Sequence, residues 1–176
     1  MPTDKKFKHE EYFSPLHEIV MEKHSPCQDI EVYRTVLTEE TSEIDITPIV
    51  VRNFFDGKKT IVPVPENRVS KMTETQKQKM TEQLGISVNN TYSACLNSVK
   101  EIVEKKKLQG IPNDEIKSYI EDQRGVYIRR FKLNLSSGYI SEFNKDHANF
   151  YPYEGFVLKD FIDPSFPPIR IPYEDF

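Results

Sequence analysis

The sequence predicts an α+β protein with a small, mostly antiparallel sheet of two hairpins, a three-helix central block and an extended, proline- and aromatic-rich C-terminal arm. Three observations predict it. Apolar residues recur at three- and four-residue spacing between Thr73 and Gln123, as on one face of a helix. From Val126 to Leu135 the period switches to two, as in a half-buried strand. From His147 onward prolines interrupt aromatics too often for a long helix.

A chain of 176 residues fits one domain, domains of about 100 to 150 residues being commonest. Residues 1–11 are polar and without period and are expected to fray. Ser14-Pro15 reads as a cap followed by proline at the first helical position, opening a short helix that Ser25-Pro26 ends. Asp29 to Thr38, rich in β-branched residues, reads as a strand. Thr47 to Asp56 is ambiguous: Thr47-Pro48 and Gly57 fit helix ends, while Ile49-Val50-Val51 and Phe54-Phe55 favour a strand. Strand is the expectation, with Asp56-Gly57 as the turn and Lys58 to Val64 returning as a sheet edge.

In the central block, Thr73 and Gln76 form a capping box that starts a helix over Glu74 to Leu84, with Gly85 as its left-handed stop. Tyr92, Cys95, Leu96, Val99, Ile102 and Val103 line one face of a second helix, capped by Ser87 or Asn89. It ends in three lysines and Gly110. Asn113 caps a third helix with two acids in its first turn, where the helix dipole favours them. Gly125 stops it. Val126 to Leu135 and Tyr139 to Phe143 then read as a hairpin around Ser136-Ser137-Gly138.

Charged residues make up 30% of the chain and the net charge is -4, which argues against nucleic-acid binding by bulk electrostatics. Aromatics at 11% exceed what a disordered chain carries. Two cysteines without a basic, apolar leader point to a reducing cytoplasm, and no run of about eighteen apolar residues offers a membrane span.

No residue set converges on catalysis or on a cofactor. His17, His24 and Cys27 lack a fourth ligand at metal-site spacing, and Cys95 lies on a core stripe as an inert thiol. The leading expectation is therefore a non-catalytic cytosolic module that binds a protein partner through its C-terminal arm. Phe166, Ile169, Arg170, Tyr173 and Phe176 are the candidate contacts, because aromatics carry most interface energy and proline pre-stiffens the chain.

Two resemblances give alternatives. Met80 to Ser87 followed by Val88 to Leu96 resembles the helix-turn-helix pattern, in which leucine, glycine, a branched apolar residue and serine join a supporting helix to a recognition helix. It implies DNA binding by helices 74–84 and 88–108, with hairpin 126–143 as a wing and Asn89, Asn90, Ser93, Asn97, Arg129, Arg130 and Lys132 as contacts. Thr81 and Thr91 depart from the small and branched apolar residues usual at their places. The Glu115-Ile116-Lys117 triplet after Asp114 resembles that of metal-dependent nucleases, although those families place it on a strand and here it opens a helix.

Overall fold

A computed structural model describes residues 5–13 and 16–176. Seven strands, β1 (Ser25–Pro26), β2 (Ile30–Val36), β3 (Ile86–Asn89), β4 (Tyr127–Leu133), β5 (Gly138–Ile140), β6 (His147–Pro152) and β7 (Ile169–Arg170), form one open sheet. Its order is β1-β5-β6-β3-β2-β4-β7, and every neighbouring pair is antiparallel. Among the described residues six α-helices accompany it: α1 (Leu16–Lys23), α2 (Ile49–Phe55), α3 (Glu66–Val69), α4 (Glu74–Leu84), α5 (Tyr92–Leu108) and α6 (Asn113–Tyr119), the last continuing as a wider turn over Ile120–Arg124.

Alternation along the strands sorts the sheet into two faces. Val32 opposite Phe131, Ile86 opposite Phe150 and Val88 opposite Ala148 place apolar pairs on one face, where Ile46, Phe156 and Leu158 from connecting segments cover them. The other face carries Ser87 opposite Asn149 and Thr35 opposite Ile128. Here the stripe of α5, with Cys95, Val99 and Val103 buried, packs with Ile128 of β4, Ile116 and Ile120, and the C-terminal Ile171 and Tyr173. A further cluster joins Phe7, Phe13, Val20, Val51, Leu84, Tyr139 and Tyr151.

Several local signals act as their chemistry dictates. Thr73 Oγ1 accepts from the Gln76 amide at 3.2 Å while Gln76 Oε1 accepts from the Thr73 amide at 2.9 Å, opening α4 at Glu74. The lysines 105–107 occupy the last turn of α5, where the dipole favours cations.

Both expected hairpins are overturned. Residues 49–55 are helix rather than strand. Pro48 presets the backbone at the helix start, and the turn closes with Gly57 N donating to Phe54 O at 3.0 Å and Lys58 N to Asn53 O at 2.9 Å. Helical spacing buries Val51 completely. Strand propensity spans only about 1 kcal/mol in all, too little to resist those end signals. Lys58 to Val64 forms no strand. At the second site β4 and β5 exist but do not pair with each other: β4 lies between β2 and β7, and β5 between β1 and β6. The two runs β1–β2 and β4–β5 instead pair as one kinked ribbon. Between the Pro26–Tyr139 and Ile30–Leu133 pairs, residues 27–29 face the longer stretch 134–138, and that excess bends the ribbon as a bulge does. Asn134 Oδ1, accepting from Ser136 N at 2.9 Å, holds the bend.

Smaller corrections accompany these. Ile86–Asn89 is a strand, so the chain leaves α4 extended: Gly85 has φ -68 and ψ 139, not a left-handed stop. The glycine serves close approach instead, since a Cβ there would lie 2.6 Å from Asn149 Cβ. Helix α5 accordingly starts at Tyr92, capped by Thr91 rather than Ser87 or Asn89, and no helix-turn-helix forms. Phe7 is buried and bridges to Tyr153, while Lys5, Lys6 and Glu11 beside it are exposed and residues 1–4 of the stretch expected to fray lie outside the described residues. Finally, 147–152 is a strand inside the sheet, and Pro112, not Asn113, stands at the cap of α6. The expected Ser14-Pro15 cap lies outside the described residues.

Candidate functional site

A cluster of exposed large apolar side chains surrounds α2. Ile44 is 45% exposed, Ile49 41% and Phe55 57%. They line a groove of about 450 Å³ whose edge carries Arg52, Lys58, Asp56 and Asp122. The amphipathic pattern that buries Val51 turns Ile49 and Phe55 outward. The ring of Phe55 is braced by Phe54 at 6.0 Å, Tyr12 at 5.9 Å and His9 at 6.0 Å between centroids, so the surface is supported aromatic structure rather than loose side chain. Burial lowers the proton affinity of His9, with Glu11 opposing. Neutral imidazole therefore extends the apolar face at neutral pH.

A second cleft of about 590 Å³, lined by polar residue types whose stems and rings also expose apolar surface, lies between α1, α4 and β6, with Glu82, Asn144, His147, Asn149, His24 and Tyr151 among its walls. His147 lines it and reaches back to Ser87, which is not itself part of the lining, Oγ to Nε2 at 2.7 Å. Burial, reinforced by the Arg124 charge, lowers the proton affinity of His147. His24 stacks on Tyr151 at 5.1 Å, and burial pushes the Tyr151 phenol up to about 12. The His24 Nε2 and Tyr151 hydroxyl are buried and have no hydrogen-bond partner among the described residues.

The sequence-predicted contacts do not gather at either place. In the C-terminal segment, Tyr173 is buried and its hydroxyl donates to Glu121 at 2.5 Å. Phe166 is half-buried, 5.4 Å from the Tyr33 ring and under the Arg130 guanidinium at 5.0 Å. Ile169 and Arg170 form β7 against β4, Arg170 also pairing with Glu174. Phe176 packs partly buried on the α5–α6 cluster.

The nucleic-acid candidates scatter as well. Asn89 is buried and donates to Asp146 O at 3.3 Å, and Asn90 is half-buried with its Oδ1 unpartnered. The two candidates on α5, Ser93 and Asn97, are exposed. Arg129 donates to Thr41 Oγ1 and Glu39 O, whereas Arg130 and Lys132, on the opposite sheet face, pair with Asp163.

Glu115 and Lys117 lie on α6, and His17 pairs with Glu10 at 2.9 Å. Among the described residues no group of three or more metal-ligating side chains converges. Burial pushes both the Cys27 and Cys95 thiols up to about 12, which makes them unreactive. No helix among the described residues is long and apolar enough to cross a membrane.

Sequence reasoning missed both clefts. Ser87 and His147 meet only because β3 pairs with β6, and no local motif announces two residues so far apart. The one available sign of the apolar face was the helix reading of Thr47 to Gly57, which would have turned Ile49 and Phe55 outward. Fold and surface thus define an α+β protein whose described residues include an exposed apolar face around α2 and a cleft between α1, α4 and β6. Compared with protein-family models, with curated proteins and with solved structures, the chain matches none.

Proposed function

We propose that this protein acts by binding another protein, and that the apolar face around α2 is where the partner docks. The observation that carries this is the exposure of Ile44, Ile49 and Phe55 on one groove with a charged edge. Apolar patches ringed by polar groups are the anatomy of docking sites, in which a braced aromatic supplies most of the energy. The C-terminal arm is the weaker surface, because Ile171 and Tyr173 are buried in the protein's own core. Its half-exposed Phe166, Ile169 and Phe176 and the exposed Arg170 are left as a secondary contact zone. Two buried, unpaired cysteines suit a reducing cytoplasm.

Photocrosslinking tests the reading. A benzoylphenylalanine in place of Phe55 is expected to give a discrete protein adduct in the native host, lost on Ile49→Asp while the melting temperature holds. The same probe at Leu135, exposed in the β4–β5 turn, should give none. Equal adducts from both positions, or none from position 55, would overturn the proposal.

A further inference from the structure

We propose that Ser87 and His147 form a nucleophile–base pair that transfers an acyl group from a small polar ester to water. The activity is separate from partner docking and uses none of the α2 face.

The geometry is that of an activated serine, Oγ to Nε2 at 2.7 Å, within the reach a general base needs. Neither residue sits on a free loop. Ser87 is in β3 and His147 in β6, and four consecutive pairs from Ile86–Phe150 to Asn89–His147 hold the strands in register. The ladder between two central strands therefore fixes the approach of hydroxyl and imidazole. Both side chains project from the sheet face opposite Ile86, Val88 and Phe150, and both are only half-buried. His147 opens onto the polar cleft. The imidazole is neutral at pH 7, since burial first and the Arg124 charge second oppose its protonation while Glu82 favours it. Neutral imidazole accepting at Nε2 carries its proton on Nδ1. No hydrogen bond to Nδ1 is formed among the described residues, which makes the pair a dyad rather than a triad.

The cleft indicates the substrate. Its walls carry the polar groups of Asn144, Asn149, Glu82, Ser141 and Lys23 beside the ring of Tyr151 and the stems of the longer side chains. Such walls bond polar substituents and leave apolar surface for only a short hydrocarbon stem. At about 590 Å³ the space suits a short, hydroxylated or amide-bearing ester.

The step balances without a redox partner. As the Ser87 oxygen bonds to the ester carbonyl carbon, its proton moves to His147 Nε2. The ester C–O bond then breaks with its electron pair on the departing oxygen, which takes that proton and leaves as an alcohol. Water repeats the sequence: its proton goes to Nε2, its oxygen bonds to the acyl carbon, and the Ser87 oxygen leaves and recovers the proton, releasing a carboxylic acid.

The test uses the full-length protein, a fluorophosphonate probe and p-nitrophenyl acetate. Expected are a single phosphonyl adduct mapped to Ser87, its loss in Ser87→Ala, and labelling and ester hydrolysis slowed about 100-fold or more in His147→Gln, with circular dichroism and melting unchanged. An unlabelled Ser87 in the wild-type protein overturns the proposal whatever the variants do. So does labelling at an equal rate in His147→Gln, which would leave the bond as a simple cross-strand pairing.

Discussion

Asp163 Oδ2 accepts from Arg130 Nε at 2.7 Å, joining the C-terminal segment to the middle of β4 from a carboxylate only 1% exposed. Ser165 adds donors from its amide at 3.0 Å and its hydroxyl at 2.7 Å. These bonds, Ser165 foremost and Arg130 next, hold the carboxyl down at about 2. An unfolded aspartate titrates near 3.9. A depressed pKa stabilises the fold above the unfolded value, and that contribution is lost as pH falls through the folded one. Urea midpoints should therefore drop between about pH 4 and pH 2. In Asp163→Asn the midpoint should be lower at pH 7 and the acid drop smaller. Identical pH profiles for the two proteins would show that the pair contributes nothing.

Removing everything after Lys159 deletes Asp163, β7, Ile171 and Tyr173 together. Ile171 is fully buried and Tyr173 nearly so. Each buried side chain of this size contributes about 1.5–3 kcal/mol, against a total stability of about 5–15 kcal/mol. The truncated chain should lose its near-ultraviolet circular dichroism and melt without cooperativity. A sharp melting transition would show the segment to be dispensable for folding.

Arg34 shares the core face of β2 with Val32 and Val36, yet donates from Nε to Asp45 O at 2.6 Å and from Nη1 to Ser87 O at 2.7 Å. A single guanidinium thus ties the 43–46 turn to the strand that bears Ser87. Lysine, a point donor on a flexible stem, cannot reproduce this fork. Arg34→Lys should cost about 1–3 kcal/mol through an orphaned carbonyl, read from urea unfolding. It should also slow fluorophosphonate labelling of Ser87, which a purely global loss of stability would not do well below the midpoint.

Thr91 Oγ1 accepts from the Ala94 amide at 3.1 Å and caps α5. Thr91→Ala should cost about 1 kcal/mol and speed hydrogen exchange at Ala94. Ser87→Ala should leave Ala94 protected, because Ser87 lies in the strand before the helix rather than at its cap.

That contrast marks what was legible in the sequence. The Thr73–Gln76 box, the α5 stripe and the alternation of β4 depend on residues a few positions apart, and their local physics suffices to place them. The fate of Ile86–Asn89 depends on a vacancy between β2 and β6, which four residues of sequence do not express. Strand pairing fails for the same reason: a turn at Ser136-Ser137-Gly138 looks like a hairpin until β2 and β7 occupy both edges of β4. The apolar face was hidden because Phe54 and Phe55 read alike as strand residues, and only the helix shows which is buried more. As for Ser87 and His147, their meeting is a property of the sheet, not of either segment.

The kinked ribbon itself can be tested at Gly138, where the chain enters β5. A Cβ there would lie 2.0 Å from Tyr151 O and 2.9 Å from Pro152 Cα, at φ +150. The obstructing atoms are backbone of β6 held in register by the Gly138–Pro152 and Tyr139–Tyr151 pairs, so no side-chain rotation relieves the contact. Gly138→Ala must therefore either break the β5–β6 pairing or push Tyr151 away from His24. A cost on the order of 3 kcal/mol follows from overpacking and backbone strain together. Gly155, where an added Cβ meets nothing within 4 Å, is the control, and Gly155→Ala should stay within about 0.5 kcal/mol of wild type. If β4 and β5 formed a simple two-strand hairpin, Gly138 would sit in an open turn, and urea midpoints for the two substitutions would agree. A large gap between them is the result the kinked, β6-paired arrangement requires.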